Sequence, residues 1–398
     1  MTKIKYLILG AGPSGLTLAN KLLELGEESI LVLEKETEAG GLCRSKEVDG
    51  SPLDIGGGHF LDVRAKQVLD FVFKFMPEVE WQLFDRISKI QLDNFEIDYP
   101  YEANIWQMPV DEQVKHLISI MRAGCNQGKV MPAKFTKWII WKLGEIIAEN
   151  YMLPYNKKIF APYLDELGTY WLYKLPNVSF EDTLRSCLTH QPQGNLPAHA
   201  QFLYPKKSGY GELFLRMADN LGNRLLLNTP LQSFDVESLT INHSFQADMV
   251  ISTIPWLEFL GKSTIPASIR ASITQLKYTS VDIEYSSDQA DTDSHWTYFP
   301  SLSLPYHRIL YRHNFLSGAK GYWKESNPVN FREENNPIHH NEYAYPLNTR
   351  NKPGQIKKIL DWAFQRSIIG LGRWGEWEHM NSDVVMRKSL KLADELIR

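Results

Sequence analysis

Three glycines, Gly10, Gly12 and Gly15, stand in the run GAGPSG that closes the apolar stretch IKYLILG. A glycine at the first position allows a tight turn. At the second it lets the backbone approach a diphosphate, and at the third it lets a helix pack on a strand. The helix that follows would offer free N–H groups and the positive end of its dipole to that anion. Glu34 lies 24 residues after Gly10, at the end of a second apolar run, ILVLE. Its carboxylate can accept hydrogen bonds from an adenosine ribose and would repel an added 2′-phosphate. The glycines alone are a weak signal. With strand, helix, strand and acid in order they predict a dinucleotide site.

These residues need a scaffold to hold them. Residues 4–10 and 30–34 read as buried parallel strands, and 13–26 as the helix between them, a βαβ unit. Residues 40–58 are rich in glycine, and 62–75 return to helical spacing. The stretch 102–190 reads as an inserted helical domain, with apolar residues at helical spacing in 112–122 and 136–150. Strands are expected at 224–233, 247–254 and 367–371, and a closing helix near 383–397. Residues 272–345 alternate as an antiparallel sheet does. Within them 318–342 is polar and is expected to form a long loop. The fold class is therefore α/β. A discontinuous Rossmann-like domain is expected from 1–75, 198–255 and 346–398, the helical domain at 102–190, and an antiparallel-sheet substrate domain from 76–101 and 256–345.

Composition narrows the function class. The 398 residues carry 43 basic and 47 acidic side chains, a formal charge of −4. That balance argues against a nucleic-acid binder. The cysteines Cys43, Cys125 and Cys187 form neither a disulfide framework nor a metal-ligand spacing, and a reducing compartment is expected. His339 and His340 have no other ligands nearby in sequence, so no metal is expected. No run reaches the roughly 18 apolar residues of a membrane span, the chain enters a strand almost at once, and a cytoplasmic location is expected.

Beyond the glycines, AGGLCRS at 39–45 and DIGGGHF at 54–60 follow the acid directly. YPKKSGYGEL at 204–213, DMVISTIP at 248–255 and GRWGEWEHMNSD at 372–383 come later in the chain. In order and spacing the chain resembles the second glutathione-reductase class of FAD proteins, which includes amine oxidases, protoporphyrinogen oxidase and UDP-galactopyranose mutases. The resemblance implies an FAD-binding domain in which Gly41, Arg44 and Gly57 border the cofactor and the last helix, at Asp383, faces the flavin. A bare capping role for Asp383 is compatible with this. His59 would order the flavin N5 region or brace a loop.

The narrower resemblance is to the mutases. It rests on ENYMLPYNKKIFAPYLDELGTYWLYKLP at 149–176, PYHRILYRHNF at 305–315 and NEYAYPLNT at 341–349. It implies FAD that is active when reduced and that attacks the anomeric carbon of a nucleotide sugar through N5, displacing the nucleoside diphosphate. The sugar then recloses in its other ring form, in the service of surface polysaccharide synthesis. Lys174, Arg308 and Arg373 would surround the diphosphate and Tyr345 would hydrogen-bond it. Tyr155 would line the nucleotide pocket. Phe160 stands where the mutases have a tryptophan on the base, and His379 where they have a second phosphate tyrosine. A UDP- or dTDP-sugar, a reductant (NAD(P)H or a flavin reductase) and a homodimer are the partners this implies. Two other readings stand beside it. One is an oxidoreductase of the amine oxidase or protoporphyrinogen oxidase type, with an apolar site. The other is a non-catalytic flavoprotein.

Overall fold

The computed structural model describes residues 1–172, 175–194, 200–330 and 336–397. Strands β1 (Thr2–Leu9) and β2 (Ile30–Leu33) pair in parallel, with helix α1 (Pro13–Glu24) between them in sequence. Strand Phe245–Ser252 pairs in parallel along the other edge of β1, and Ile368–Gly370 pairs in parallel with that strand. Tyr6 and Ile8 join the core that holds Leu16, Leu18 and Leu22 of α1. Leu7 and Leu9 pack instead with Trp256, Ile359 and Trp362. Both faces of β1 are covered, which is why it reads as a continuous apolar run.

A second seven-stranded sheet runs in the order His339–Pro346, Tyr278–Ser286, Tyr322–Ser326, Tyr306–Leu310, Trp296–Tyr298, Ser88–Gln91 and Glu96–Asp98. Its pairings are antiparallel except Trp296–Tyr298 with Ser88–Gln91. Helices Val110–Met121, Phe135–Ile147, Leu153–Phe160 and Phe180–Thr189 contribute to a third core, around Ile105, Phe135, Ile139 and Tyr151. Among the described residues no helix is long and apolar enough to cross a membrane.

The long loop expected at 318–342 is not what forms. Tyr322–Ser326 is an interior strand of the second sheet, and His339 opens another. Trp323 and Glu325 of the interior strand are both fully buried. A glutamate at an inward position hides a strand from any reading of hydropathy, and an arginine partner is what makes its burial tolerable. The strand expected at 224–233 shrinks to Leu225–Leu226, because Asn228 turns to a positive φ of 52° and Pro230 follows. The helix expected over 62–75 is confined to Lys66–Val72, and residues 272–274 end the helix Ala267–Thr274.

His295 ties the two parts of the sheet together. Its Nδ1 accepts the Ile87 N–H at 2.9 Å, and burial pushes its pKa down to about 4. The folded value lies below that of the unfolded chain, so the unfolded chain takes the proton first. Stability is therefore lost as pH falls from about 6.5 toward 4, by about 1 kcal/mol per pH unit for one such group. Urea unfolding between about pH 7 and pH 4.5 should show this slope, shallower in His295→Asn, whose carbonyl can still accept that N–H.

Candidate functional site

The ends of β1 and β2 open onto a cleft of about 450 Å³, lined by Gly10, Gly12, Glu34, Gly41 and Arg44 among others. Gly12 caps α1 with no side-chain hydrogen bond, so the first-turn N–H groups of the helix stay available. A Cβ added at Gly12 would come no nearer than 3.9 Å to any protein atom. Packing within the protein therefore does not require glycine there. A Cβ at Gly15 would sit 2.0 Å from the Gly10 carbonyl oxygen, so Gly15 serves contact between the turn and the helix. Glu34 is buried and accepts the Ala11 N–H at 2.7 Å and the Glu36 N–H at 3.0 Å. These bonds hold the carboxylate at the mouth of the turn with acceptor capacity to spare. Arg44 donates through Nε to the Gly41 carbonyl at 3.0 Å and reaches Glu36 at 3.4 Å. An open helix end, a glycine with space above it, a fixed acid and a cation fit a dinucleotide diphosphate and ribose.

A second cavity, of about 210 Å³, meets the first at His59, Arg373 and Ser382, which line both. It is rich in cations. Arg308 gives Nε and Nη2 to one oxygen of Glu325, at 2.8 and 2.5 Å. The other Glu325 oxygen accepts the Gly58 N–H at 2.9 Å. Burial alone would raise the Glu325 pKa, but Arg308, His307 and the Gly58 N–H together outweigh it and hold the carboxyl down at about 2. Arg373 donates to the carbonyls of Met380 and Ala344, and no carboxylate among the described residues pairs with it. Burial pulls its pKa below the usual arginine value. The Arg86 guanidinium lies 4.7 Å from the ring centre of Tyr99 and 4.8 Å from that of Trp296, and donates to the Tyr298 hydroxyl at 3.1 Å. Such stacking fixes a guanidinium plane while keeping its charge. His59 donates from Nδ1 to the Gly57 carbonyl at 2.9 Å, since a carbonyl can only accept. Burial, then Arg373, pushes its pKa down to about 4, so at neutral pH Nε2 is an unprotonated acceptor.

The structure brings most of the expected residues together. Gly10, Gly12, Glu34, Gly41 and Arg44 line the first cleft, and Gly57, Arg308, Tyr345 and His379 the second. Gly57 thus borders the second cavity rather than the dinucleotide cleft, and a Cβ there would meet a Glu325 oxygen at 2.9 Å. Asp383 lines neither. The last helix begins one residue earlier, and Ser382 faces both cavities. Tyr155 lies one ring behind the cavity wall, edge-on to Tyr298 with centroids 5.4 Å apart. Phe160 meets Trp171 edge-on and lines neither cavity. Lys174 lies outside the described residues. The sequence reading missed Arg86, Tyr298 and Glu325. None sits in a glycine-rich motif, and each has a contact more than 200 positions away: Arg86 with Tyr298 and Glu325 with Gly58.

Residues 8–75 match the model of the NAD(P)-binding Rossmann-like domain family. Over the whole chain the protein is 25% identical to UDP-galactopyranose mutase of Mycoplasma pneumoniae, covering 97% of that relative. A crystal structure of reduced UDP-galactopyranose mutase superposes with a TM-score of 0.87 at 21% identity, over 100% of this chain and 94% of that one. The chain has the UDP-galactopyranose mutase fold. Cyclohexylamine oxidase from Brevibacterium oxydans also superposes, with a TM-score of 0.69 at 14% identity and full coverage of both chains. The mutase fold is thus shared with an oxidase, and the contents of the site must separate the two chemistries.

Proposed function

We propose that this protein is a flavin-dependent nucleotide-sugar mutase that interconverts the pyranose and furanose forms of a UDP- or dTDP-sugar, with FAD in the first cleft. The observation that supports this reading is the second cavity, where Arg86, Arg308 and Arg373 stand against the single carboxylate of Glu325. Among the described residues that line it, three guanidinium groups meet one carboxylate, a lining that suits the two negative charges of a sugar-linked diphosphate. Such a lining opposes an ammonium substrate, since Arg373, which no described carboxylate pairs, would at about 5 Å cost about 3 kcal/mol at an effective dielectric of about 20. This argues against the amine oxidase reading despite the shared fold.

Gly12, Glu34 and Arg44 would hold the dinucleotide. A reduced flavin held there would supply the nucleophile for the anomeric carbon. The chain's part is to hold the departing diphosphate and keep the sugar in place. Arg373 and Arg86 would face the phosphate oxygens with fixed guanidinium planes. Arg308 keeps Nη1 clear of Glu325, and the Tyr345 hydroxyl has no hydrogen-bond partner among the described residues, so both can donate to the same anion. Donors already oriented by the fold stabilise a leaving diphosphate without reorganising. His59 Nε2, unprotonated, would accept a hydrogen bond from a hydroxyl beside the cleft. The test is turnover of a panel of UDP- and dTDP-sugars by the purified holoprotein, with and without dithionite, with products read by NMR. Ring isomers formed only under reduction are expected. Oxygen consumption on amines with no isomer formed would overturn the reading in favour of an oxidase.

A further inference from the structure

The strand His339–Pro346 is the outer strand of the second sheet and, among the described residues, pairs only with Tyr278–Ser286. Residues 339–343 all line the dinucleotide cleft, so the strand runs along it. The Asn341 side chain fastens the strand by donating to the Ile55 carbonyl at 2.7 Å. His340 gives its Nδ1 proton to Asp282 at 2.6 Å and is half exposed. His339 is partly buried, lines the cleft together with Arg44, Glu36 and His340, and feels the charges of Arg44, Lys46 and Glu36. Arg44 lies at the diphosphate end of the cleft, three residues beyond Gly41, whose carbonyl it holds. A second nitrogen base beside that arginine has no work to do in the fold itself, since its ring makes no hydrogen bond to a described residue.

We propose that His339, together with Arg44, grips the diphosphate of the bound dinucleotide and takes up a proton as it does so. The proposal rests on the reading of the first cleft as an FAD site. In the protein alone, burial and then the charges of Arg44 and Lys46 hold His339 neutral, with a pKa of about 4, and Glu36 opposes them only in part. Two phosphate charges act against both cations, and the neutral ring becomes an imidazolium that donates to a phosphate oxygen. On the neighbouring strands Asp282 is engaged by His340, and Glu284 by the Asn336 N–H at 3.0 Å. His339 is therefore the group free to respond.

Binding that takes up a proton must tighten as pH falls. The test dilutes the holoprotein and follows flavin release by fluorescence, between about pH 7.5 and pH 5.5. FAD affinity of the natural protein should rise by about threefold or more per pH unit as pH falls, toward the tenfold limit for one proton. His339→Asn should bind more weakly and lose the slope. His339→Lys should bind tightly with no slope, and His340→Asn should keep it. A flat profile in the natural protein, or an unchanged slope in His339→Asn, overturns the proposal. A natural protein that holds no flavin at any pH overturns the cleft reading itself, and this inference with it.

Discussion

Gly12→Ala is expected to yield a folded, colourless protein, whereas Gly15→Ala is expected to fold poorly. The two glycines sit three residues apart in one turn, and their surroundings differ. An added Cβ at Gly12 meets only the Gly41 Cα at 3.9 Å, an ordinary contact. Gly12 has a φ of −80°, which alanine adopts without strain. The methyl group instead fills the space through which a diphosphate approaches the helix end. FAD affinity should fall by about a thousandfold or more, equivalent to about 4 kcal/mol. At Gly15 the Cβ would lie 2.0 Å from a backbone oxygen that cannot move without opening the turn. That overpacking should cost about 3 kcal/mol or more. Flavin content and thermal unfolding of the two variants separate the effects. A Gly12→Ala protein that purifies with a full complement of flavin would refute the cleft as the dinucleotide site.

The second large effect is expected at Arg308. Arg308→Ala should lower nucleotide-sugar binding by about a hundredfold or more while leaving flavin bound. It should also destabilise the protein, because Glu325 is 1% exposed and loses its main counter-charge. Stranding a buried charge costs about 3–5 kcal/mol. A loss of activity in the single variant would therefore not distinguish a missing ligand contact from a damaged core. The double variant Arg308→Met/Glu325→Gln does, since it removes both charges and keeps the volume. It should regain most of the stability and none of the binding. Recovery of binding in the double variant would show that Arg308 acts on the fold and not on the diphosphate. The pair also has an acid limit. The folded Glu325 pKa is depressed to about 2. Its contribution of about 3 kcal/mol is complete above the unfolded value near 4.5 and is lost as pH falls toward 2.

Glu325 also marks where reading the sequence stops. The βαβ unit and its glycines were legible because each depends on neighbours a few residues away. Turn, helix end and acid follow one another in sequence as they do in space. Arg308, Arg373 and Tyr345 were legible through resemblance, because their motifs keep local order. Arg86 was not. In sequence it is an arginine after an aspartate, with nothing to set it apart from a surface charge. Its place on the cavity wall comes from Tyr298, 212 positions away, and from the ring of Trp296. Likewise the polar stretch that hides Tyr322–Ser326 becomes an interior strand because Arg308 answers Glu325 across the strand pair and Gly58, 267 positions away, gives it an N–H.

What the sequence determined by itself is the doubly covered parallel sheet, the dinucleotide turn and the order of the motifs. Each arises from periodicity and backbone freedom, which are local properties. What only the tertiary structure decided is which charges are spent on each other and which remain for a ligand. Arg308 is largely balanced by Glu325, Arg373 holds carbonyl oxygens and no carboxylate among the described residues, and His339 comes to line the same cleft as Arg44. Electrostatic balance in a buried site is a sum over neighbours in space, and the chain brings those neighbours together from its two ends and its middle.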